Sequence, residues 1–184
     1  MKGSSHLVIG MSTYAALALR GIEGVPVPQS GLGASEWSLL ASLAVVGVGS
    51  LLPDLDQRQA TLSRRLATRP VSEVVSRVVH HRGPTHSLLA VVAVWCLAAA
   101  AGAAWGLVGV AGLMAWGYSL HLLADMGTRA GVPLLWPLPG RFGLLPIRTG
   151  SDTIFERLTV AAVVVAAVGH VIWPHLVAVS GGAM

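Results

Sequence analysis

The chain has 184 residues, of which 54% are hydrophobic and 11% charged, and its formal net charge is +4 at pH 7. A mean hydropathy of +0.71 is too high for an ordinary soluble domain, so we expect one all-α membrane domain spanning residues 1–184. The single cysteine, Cys96, excludes disulfides and cysteine-metal sites within one chain. The basic residues are not interleaved with aromatic ones, so they indicate membrane topology rather than nucleic-acid binding.

Apolar stretches predict a bundle of five transmembrane helices. The first, from His6 to Leu19, is short; the alternative is a secretory signal, which its pattern fits only loosely. A second helix is expected from Trp37 to Pro53. Ser87 to Ala124 contains no Asp, Glu, Lys or Arg and has about twice the ~20 residues of one span, so it predicts two helices with a turn near Gly102 to Gly106. The fifth has its charge-free run from Leu158 onward, with Glu156 and Arg157 at its start.

The basic residues predict the orientation of this bundle. Counting crossings from the N-terminus leaves Arg20 on one membrane face and the other eleven of the twelve Lys and Arg residues on the opposite face. By the positive-inside rule the basic face is cytoplasmic, and it carries the loops 54–86 and 126–155. The basic residues on it are Lys2, Arg58, Arg64, Arg65, Arg69, Arg77, Arg82, Arg129, Arg141, Arg148 and Arg157.

Histidines and aspartates at four predicted helix ends collect on the same face. The motif "HLLAD" puts two of them four residues apart on one helical face, where they can ligate one ion. In "LLPDLDQ" the proline is expected to stop the helix and leave both acids in extended chain. "HRGPTHS" carries two histidines across a Gly-Pro turn, and one more histidine begins the first helix. The expected metal ligands are His6, Asp54, Asp56, His81, His86, His121 and Asp125.

Each motif also has a simpler interpretation. "HLLAD" could be an interfacial helix end with a His–Asp hydrogen bond, and "PDLD" a solvated terminus. Acids beside an apolar core usually mark function, which favours metal for "PDLD". We expect Asp54, Asp56 and Arg82 to be catalytic, with one carboxylate as the base and the guanidinium binding an anionic oxygen. Thr85 or Ser87 is expected to cap the third helix or bind a ligand.

Two cytoplasmic segments have distinct characters. The Arg-rich segment from Arg58 to His81 predicts an amphipathic helix on anionic lipid. The segment from Gly127 to Arg157 is rich in proline and glycine and predicts a structured interfacial loop. At its end, Glu156 is expected to pair with Arg157, or else to join the metal shell.

Taken together, "GSLLPDLDQ", "HRGPTHSLL" and "GYSLHLLADMGTRAGVPLLWPLPGR" resemble the YdjM-like family of bacterial inner-membrane proteins, which are described as metal-dependent hydrolases. The resemblance runs from His6 to about Arg157. It implies a cytoplasmic-face metal site formed by the seven residues named above, with Arg82, Thr85 and Thr128 around it. The family often has histidine after its "PDID" motif where this chain has Gln57, so position 57 is not expected to be an obligatory ligand.

Seven candidate ligands exceed the three that a catalytic zinc takes, so two divalent ions are expected, with zinc favoured and manganese or iron possible. Such a pair activates water for phosphoester hydrolysis, and its depth in the membrane suggests a lipid or lipid-linked phosphoester as substrate. The alternative is an ion transporter or sensor using the same cluster, although transporter sites usually lie near the midplane. A purely structural metal would leave no open coordination position. The oligomeric state is left open.

Overall fold

The computed structural model describes residues 1–22, 36–56, 83–105, 107, 109–144 and 153–181, without the side chains of 36–38, 56 and 178–181. These residues form helices and no strand; an isolated antiparallel bridge joins Val132 and Phe142. The five helices are α1 Gly3–Leu19, α2 Glu36–Leu51, α3 Leu88–Trp105, α4 Val110–Met126 and α5 Ile154–Gly181. The predicted all-α class is therefore confirmed, while the predicted amphipathic helix lies outside the described residues.

Three of the helices form the centre of the bundle. α1, α2 and α4 pack against one another, α3 packs on α4, and α5 packs on α1. Tyr14, Val46 and Leu113, one from each central helix, form a buried apolar core. The arrangement brings the N-terminus of α1 to the same end of the bundle as the C-termini of α2 and α4.

Small residues bring the central helices close together. A Cβ atom added at Gly117 would collide with the carbonyl oxygen of Val46 and lie 2.9 Å from the amide nitrogen of Ser50. A Cβ atom at Gly10 would collide with the side chain of Ser50, and one at Gly49 with the carbonyl oxygen of Met114. Glycines at crossings let backbones touch, which is how helices commonly associate inside membranes. The crossing of α2 over α4 therefore depends on the absence of a side chain at position 117.

Two of the described helices are long and apolar enough to cross a membrane. They are Leu88–Trp105, with a mean hydropathy of 2.2, and Ile154–Val177, with a mean hydropathy of 2.0. Only 11% of the first span and 6% of the second are buried inside the protein, so both present apolar side chains outward. α1, α2 and α4 have 17, 16 and 17 residues, fewer than the ~20 of a standard span. The five predicted spans are thus not all confirmed.

Several predicted boundaries were wrong. Leu52–Asp56 forms a 3-10 helix, not extended chain, so Pro53 changes the helix type rather than ending helical structure. Gly102 lies inside α3, which continues to Trp105; the reversal comes later, where Gly109 has a φ of 91°. The last helix begins at Ile154, two residues before the charged pair Glu156 and Arg157 that was placed at its start, so the pair lies in its first turn.

Candidate metal centre

Five of the predicted ligands meet in one buried cluster at the end of the bundle. His6 lies in the first turn of α1, Asp54 in the 3-10 segment after α2, and His86 in a 3-10 turn, Pro84–His86, just before α3. His121 and Asp125 lie one turn apart on α4. Asp54 is 6% exposed and the other four are at most 2% exposed. The four helix ends predicted to converge therefore do so.

Asp125 occupies the middle of this cluster. Its Oδ1 lies 3.5 Å from Nε2 of His6, and its Oδ2 lies 3.6 Å from Nε2 of His86 and 3.8 Å from Nε2 of His121. Ligand atoms of a tetrahedral zinc with bonds near 2.05 Å are about 3.3 Å apart, so these spacings lie within about half an ångström of coordination geometry. The amino group of Met1 also donates to Oδ1, at 3.2 Å.

His121 is oriented by the backbone of α2. Its Nδ1 lies 2.8 Å from the carbonyl oxygen of Ser50, which can only accept, so Nδ1 carries the proton and Nε2 keeps its lone pair. That Nε2 lies 3.8 Å from Oδ1 of Asp54. The ring of His6 stacks on that of His121, with centroids 3.6 Å apart and planes 17° apart. Metal-bound histidines commonly have their second nitrogen fixed in this way.

A short chain of hydrogen bonds supports His86. The hydroxyl oxygen of Thr85 lies 3.1 Å from Nδ1 of His86, and the hydroxyl of Tyr118 donates to the carbonyl oxygen of Thr85 at 2.5 Å. Ser87 caps α3, as expected, because its Oγ accepts from the amide of Ala90 at 3.3 Å. Of the two expected roles, helix capping is confirmed for Ser87, while Thr85 contacts the ring of His86.

The cluster has the properties of a cation site. Within the described part of the chain, both ring nitrogens of His6 and Nε2 of His121 are buried without a hydrogen-bond partner. Leaving a buried polar atom unsatisfied costs about 1–3 kcal/mol, which a bound cation would offset. Two overlapping groups have ligand atoms within 4.8 Å of one another: His6, Asp54 and His121, and His86, His121 and Asp125. Imidazole and carboxylate donors suit zinc, iron or manganese.

Some predicted site residues are not part of this geometry. His81 and Arg82 lie outside the described residues, as does the side chain of Asp56. Glu156 is not in either group of possible ligands among the described residues; its Oε1 accepts from the amide of Lys2 and the hydroxyl of Ser5, each at 2.6 Å. The sequence interpretation therefore missed Glu156 as an anchor for the start of α1.

The supporting roles of Ser50 and Tyr118 were also missed. Ser50 contributes a backbone carbonyl, which leaves no signal in the side-chain pattern. Tyr118 precedes His121 by three residues on α4, so it shares the face of the helix that carries the ligands. This helical spacing was the one available signal for the tyrosine.

Comparison with known proteins gives consistent matches over nearly the whole chain. The family model described as "YdjM inner membrane protein" matches residues 1–180. "Inner membrane protein YdjM" of Escherichia coli (strain K12) is 34% identical over 176 residues, which cover 90% of this chain and 80% of that protein. The Shigella flexneri protein of the same name gives the same values. "Uncharacterized protein YvsG" of Bacillus subtilis (strain 168) is 31% identical over 168 residues, covering 90% and 91%. No solved structure matches.

Proposed function

The chain belongs to the YdjM family of inner membrane proteins, and from its buried His/Asp centre we propose that it is a membrane-bound metal-dependent hydrolase. The observation that carries the proposal is that, within the described part of the chain, Nε2 of His6 and Nε2 of His121 are buried without a hydrogen-bond partner and lie around one carboxylate, that of Asp125. Buried imidazole and carboxylate groups held in place by outer contacts are the arrangement that a catalytic metal requires.

The position of the centre supports a substrate at the membrane surface. His86 lies two residues before the apolar helix α3, so the centre sits at the end of a candidate span. The neighbouring segment between α4 and α5 exposes large apolar side chains, with Leu138 63% and Leu144 66% exposed. Such side chains are favourable at a lipid surface. We therefore propose a lipid or lipid-linked phosphoester as substrate, bound at headgroup depth in a bundle of five spans.

The proposed face is the cytoplasmic one of the bacterial inner membrane. Among the described basic residues, Lys2 and Arg157 lie at the end of the bundle that holds the centre, and Arg129 and Arg141 belong to the neighbouring loop. Arg20 lies at the opposite end of α1. This distribution agrees with the positive-inside rule for a centre that faces the cytoplasm.

Each residue of the centre has a proposed role. In this proposal, His86, His121 and Asp125 would hold one divalent ion, and His6 and Asp54 of the other ligand group would hold the second, with zinc favoured over manganese or iron. When bound, the ions would polarise a phosphoryl oxygen and lower the pKa of water. Asp54 is the most exposed of the five, so we assign it the proton acceptor for the attacking water. Arg82 is proposed to bind an anionic oxygen of the substrate, and Asp56 to serve as a further metal ligand or base.

Metal analysis of the purified protein tests this proposal. We expect about two equivalents of transition metal in the wild type, because a paired metal site holds two ions. We expect His121→Gln and Asp125→Asn to lose bound metal. His170→Gln is the matched control and should keep its metal, because His170 is an exposed histidine on α5. No stoichiometric metal, even after reconstitution with zinc or manganese, would remove the basis of the proposal.

Enzymatic turnover is tested separately from metal binding. The metal-loaded wild type and Asp54→Asn would be incubated with phospholipids and prenyl phosphates, and the products identified by mass spectrometry. We expect product from the wild type and a rate at least about 100-fold lower from the variant, since the variant loses a ligand of one proposed ion together with a positioned base, and the base alone contributes about 10²–10⁴-fold. Full metal occupancy with no product from any phosphoester would favour the alternative, an ion transporter or sensor.

A further inference from the structure

The single buried side chain in the described part of α5 belongs to a charged residue. From Ile154 to Val177, where the side chains of this helix are described, Glu156 is 2% exposed and every other residue is partly or fully exposed. Burying a carboxylate is costly unless hydrogen bonds or positive charge compensate for the lost water. An apolar residue at this position would pack on α1 without that cost, so packing alone does not explain a glutamate here.

Glu156 joins the first turn of α1. Its Oε1 accepts from the amide of Lys2 and from the hydroxyl of Ser5, each at 2.6 Å. Lys2 is the N-cap residue of α1, and its own side chain makes no capping hydrogen bond. In a capping box, the acceptor for the N-cap amide is a glutamate three residues into the same helix, where α1 has Ser5. Glu156 therefore supplies this acceptor from another helix, with its negative charge at the positive end of the α1 dipole.

His6 is the metal-centre residue that this anchored turn carries. It follows Ser5 directly, and its amide donates to the carbonyl oxygen of Lys2 at 3.2 Å. Both residues bound by Glu156 are thus joined to His6, one through the chain and one through a backbone hydrogen bond. The ring of His6 lies against that of His121, with 3.6 Å between centroids. Its place over His121 is therefore set by where the first turn of α1 is held.

We propose that Glu156 is a positioning residue of the metal centre, which holds the first turn of α1 so that the ring of His6 stays against His121. The ion proposed at His6 and Asp54 would then bind more weakly without Glu156, and this consequence alone rests on the proposed function. The other ligand group is built from α4 and from the turn before α3, so we expect its ion to be held normally.

Chemical modification of histidines measures this anchoring without any metal. Glu156→Leu removes the acceptor at similar size, whereas Glu156→Gln keeps an oxygen that can accept both hydrogen bonds. Ser5→Ala removes one donor, and Ser4→Ala, at the exposed neighbouring position, is its matched control. Each protein would be purified in detergent with chelator and treated with diethyl pyrocarbonate, which modifies accessible imidazoles. Mass spectrometry would give the rate at each histidine, with the exposed His170 as the internal reference.

The pattern of reactive histidines decides the proposal. We expect His6 to react at least about tenfold faster in Glu156→Leu than in the parent, which corresponds to 1.4 kcal/mol in the free energy of local opening. Ser5→Ala should raise the rate by a smaller factor, while Glu156→Gln and Ser4→Ala should react like the parent. His86, before α3, should stay protected in every variant.

Two outcomes of the modification experiment would overturn the proposal. One is a His6 that stays protected in Glu156→Leu, and the other is an equal gain at His6 and His86, which would mean general loosening. If Glu156→Leu does not fold, Ser5→Ala and Ser4→Ala give the same comparison in protein that retains Glu156. Equal rates at His6 in those two variants would then overturn it.

A metal titration tests the consequence for the centre. In Glu156→Leu one of the two proposed ions should bind about 10–100-fold more weakly and the other normally, since outer partners of metal ligands contribute that much. Arg20→Gln is the control for α1–α5 packing, because Arg20 donates to the carbonyl oxygen of His170 at 3.3 Å, at the far end of α1. Unchanged binding of both ions in Glu156→Leu would overturn the role of Glu156 in the centre. A parent that binds no metal would refute the proposed function alone, because the reactivity of His6 still decides whether Glu156 positions it.

Discussion

Replacing Gly117 by alanine tests whether helix packing sets the geometry of the centre. The added methyl group would collide with the carbonyl oxygen of Val46 and lie 2.9 Å from the amide nitrogen of Ser50. Both are backbone atoms of α2, so no side chain can rotate away. Ordinary van der Waals contact with carbon begins near 3.5 Å, so α2 and α4 must separate by at least about half an ångström.

The separation would reach the centre through His121, which follows Gly117 by one helical turn. Its Nδ1 lies 2.8 Å from the carbonyl oxygen of Ser50, the residue whose amide nitrogen the added methyl group would approach. Its Nε2 lies 3.8 Å from Oδ1 of Asp54, which follows α2 in the chain. Losing such a supporting contact costs about 10–100-fold in metal affinity. The overpacking itself should cost about 1–3 kcal/mol, a fall of about 2–12 °C in melting temperature for a chain of this size.

The assay pairs metal titration with thermal unfolding in detergent. Gly169→Ala is the matched control, because a Cβ atom at Gly169, also inside a helix, meets nothing within 4 Å. We expect that variant to bind metal normally and to gain up to about 1 kcal/mol from helix propensity. Wild-type metal affinity in Gly117→Ala, together with unchanged melting, would refute the claim that this crossing holds His121 in place.

Three further changes address the supporting groups and the ions. Thr85→Val removes the hydroxyl beside Nδ1 of His86. It should weaken metal binding about 10–100-fold, or 1.4–2.7 kcal/mol, in a competition titration. Thr159→Val on α5 is the control and should leave metal binding unchanged. Asp54→Asn should leave one tightly held equivalent of about two in elemental analysis, and retention of both would contradict its role as a ligand. Tyr118→Phe removes the hydroxyl bound to the Thr85 carbonyl and should cost about 0.5–1.5 kcal/mol in thermal unfolding; no loss would mean that this bond is not stabilising.

The apolar runs of the sequence were sufficient to predict five helices, because a long run without charges has few alternatives to a helix. Their ends were less predictable. Pro53 was expected to end helical structure, yet a proline near the start of a 3-10 turn needs no amide of its own, and the turn continues to Asp56. Glu156 was placed at the start of the fifth helix, but its contacts with Lys2 and Ser5 were missed, because they join residues more than 150 positions apart and no local pattern reveals them.

The sequence predicted which residues belong to the candidate site better than it predicted how those residues are arranged. His121 and Asp125 were singled out by their spacing of four residues, which is a property of one helix. For His6 the local pattern alone supplied little support, because its position relative to the other ligands depends on how α1 crosses α2. The structure stacks its ring on His121 at 3.6 Å, a contact made possible by the small residues Gly10 and Ser50 where those helices meet.

The proposal of two ions rests on how the two oxygens of Asp125 are placed. Both possible ligand groups contain His121, but its Nδ1 is bonded to the carbonyl of Ser50, so it has only one nitrogen to give and serves one ion. Asp125 turns its two oxygens toward different groups: Oδ1 lies 3.5 Å from Nε2 of His6 and 3.2 Å from the amino group of Met1, and Oδ2 lies 3.6 Å from Nε2 of His86. Placed in this way, Asp125 would be able to contribute one oxygen to each of the two proposed ions. The proposal of two ions therefore depends less on the count of seven candidate ligands than on the single carboxylate between the histidines.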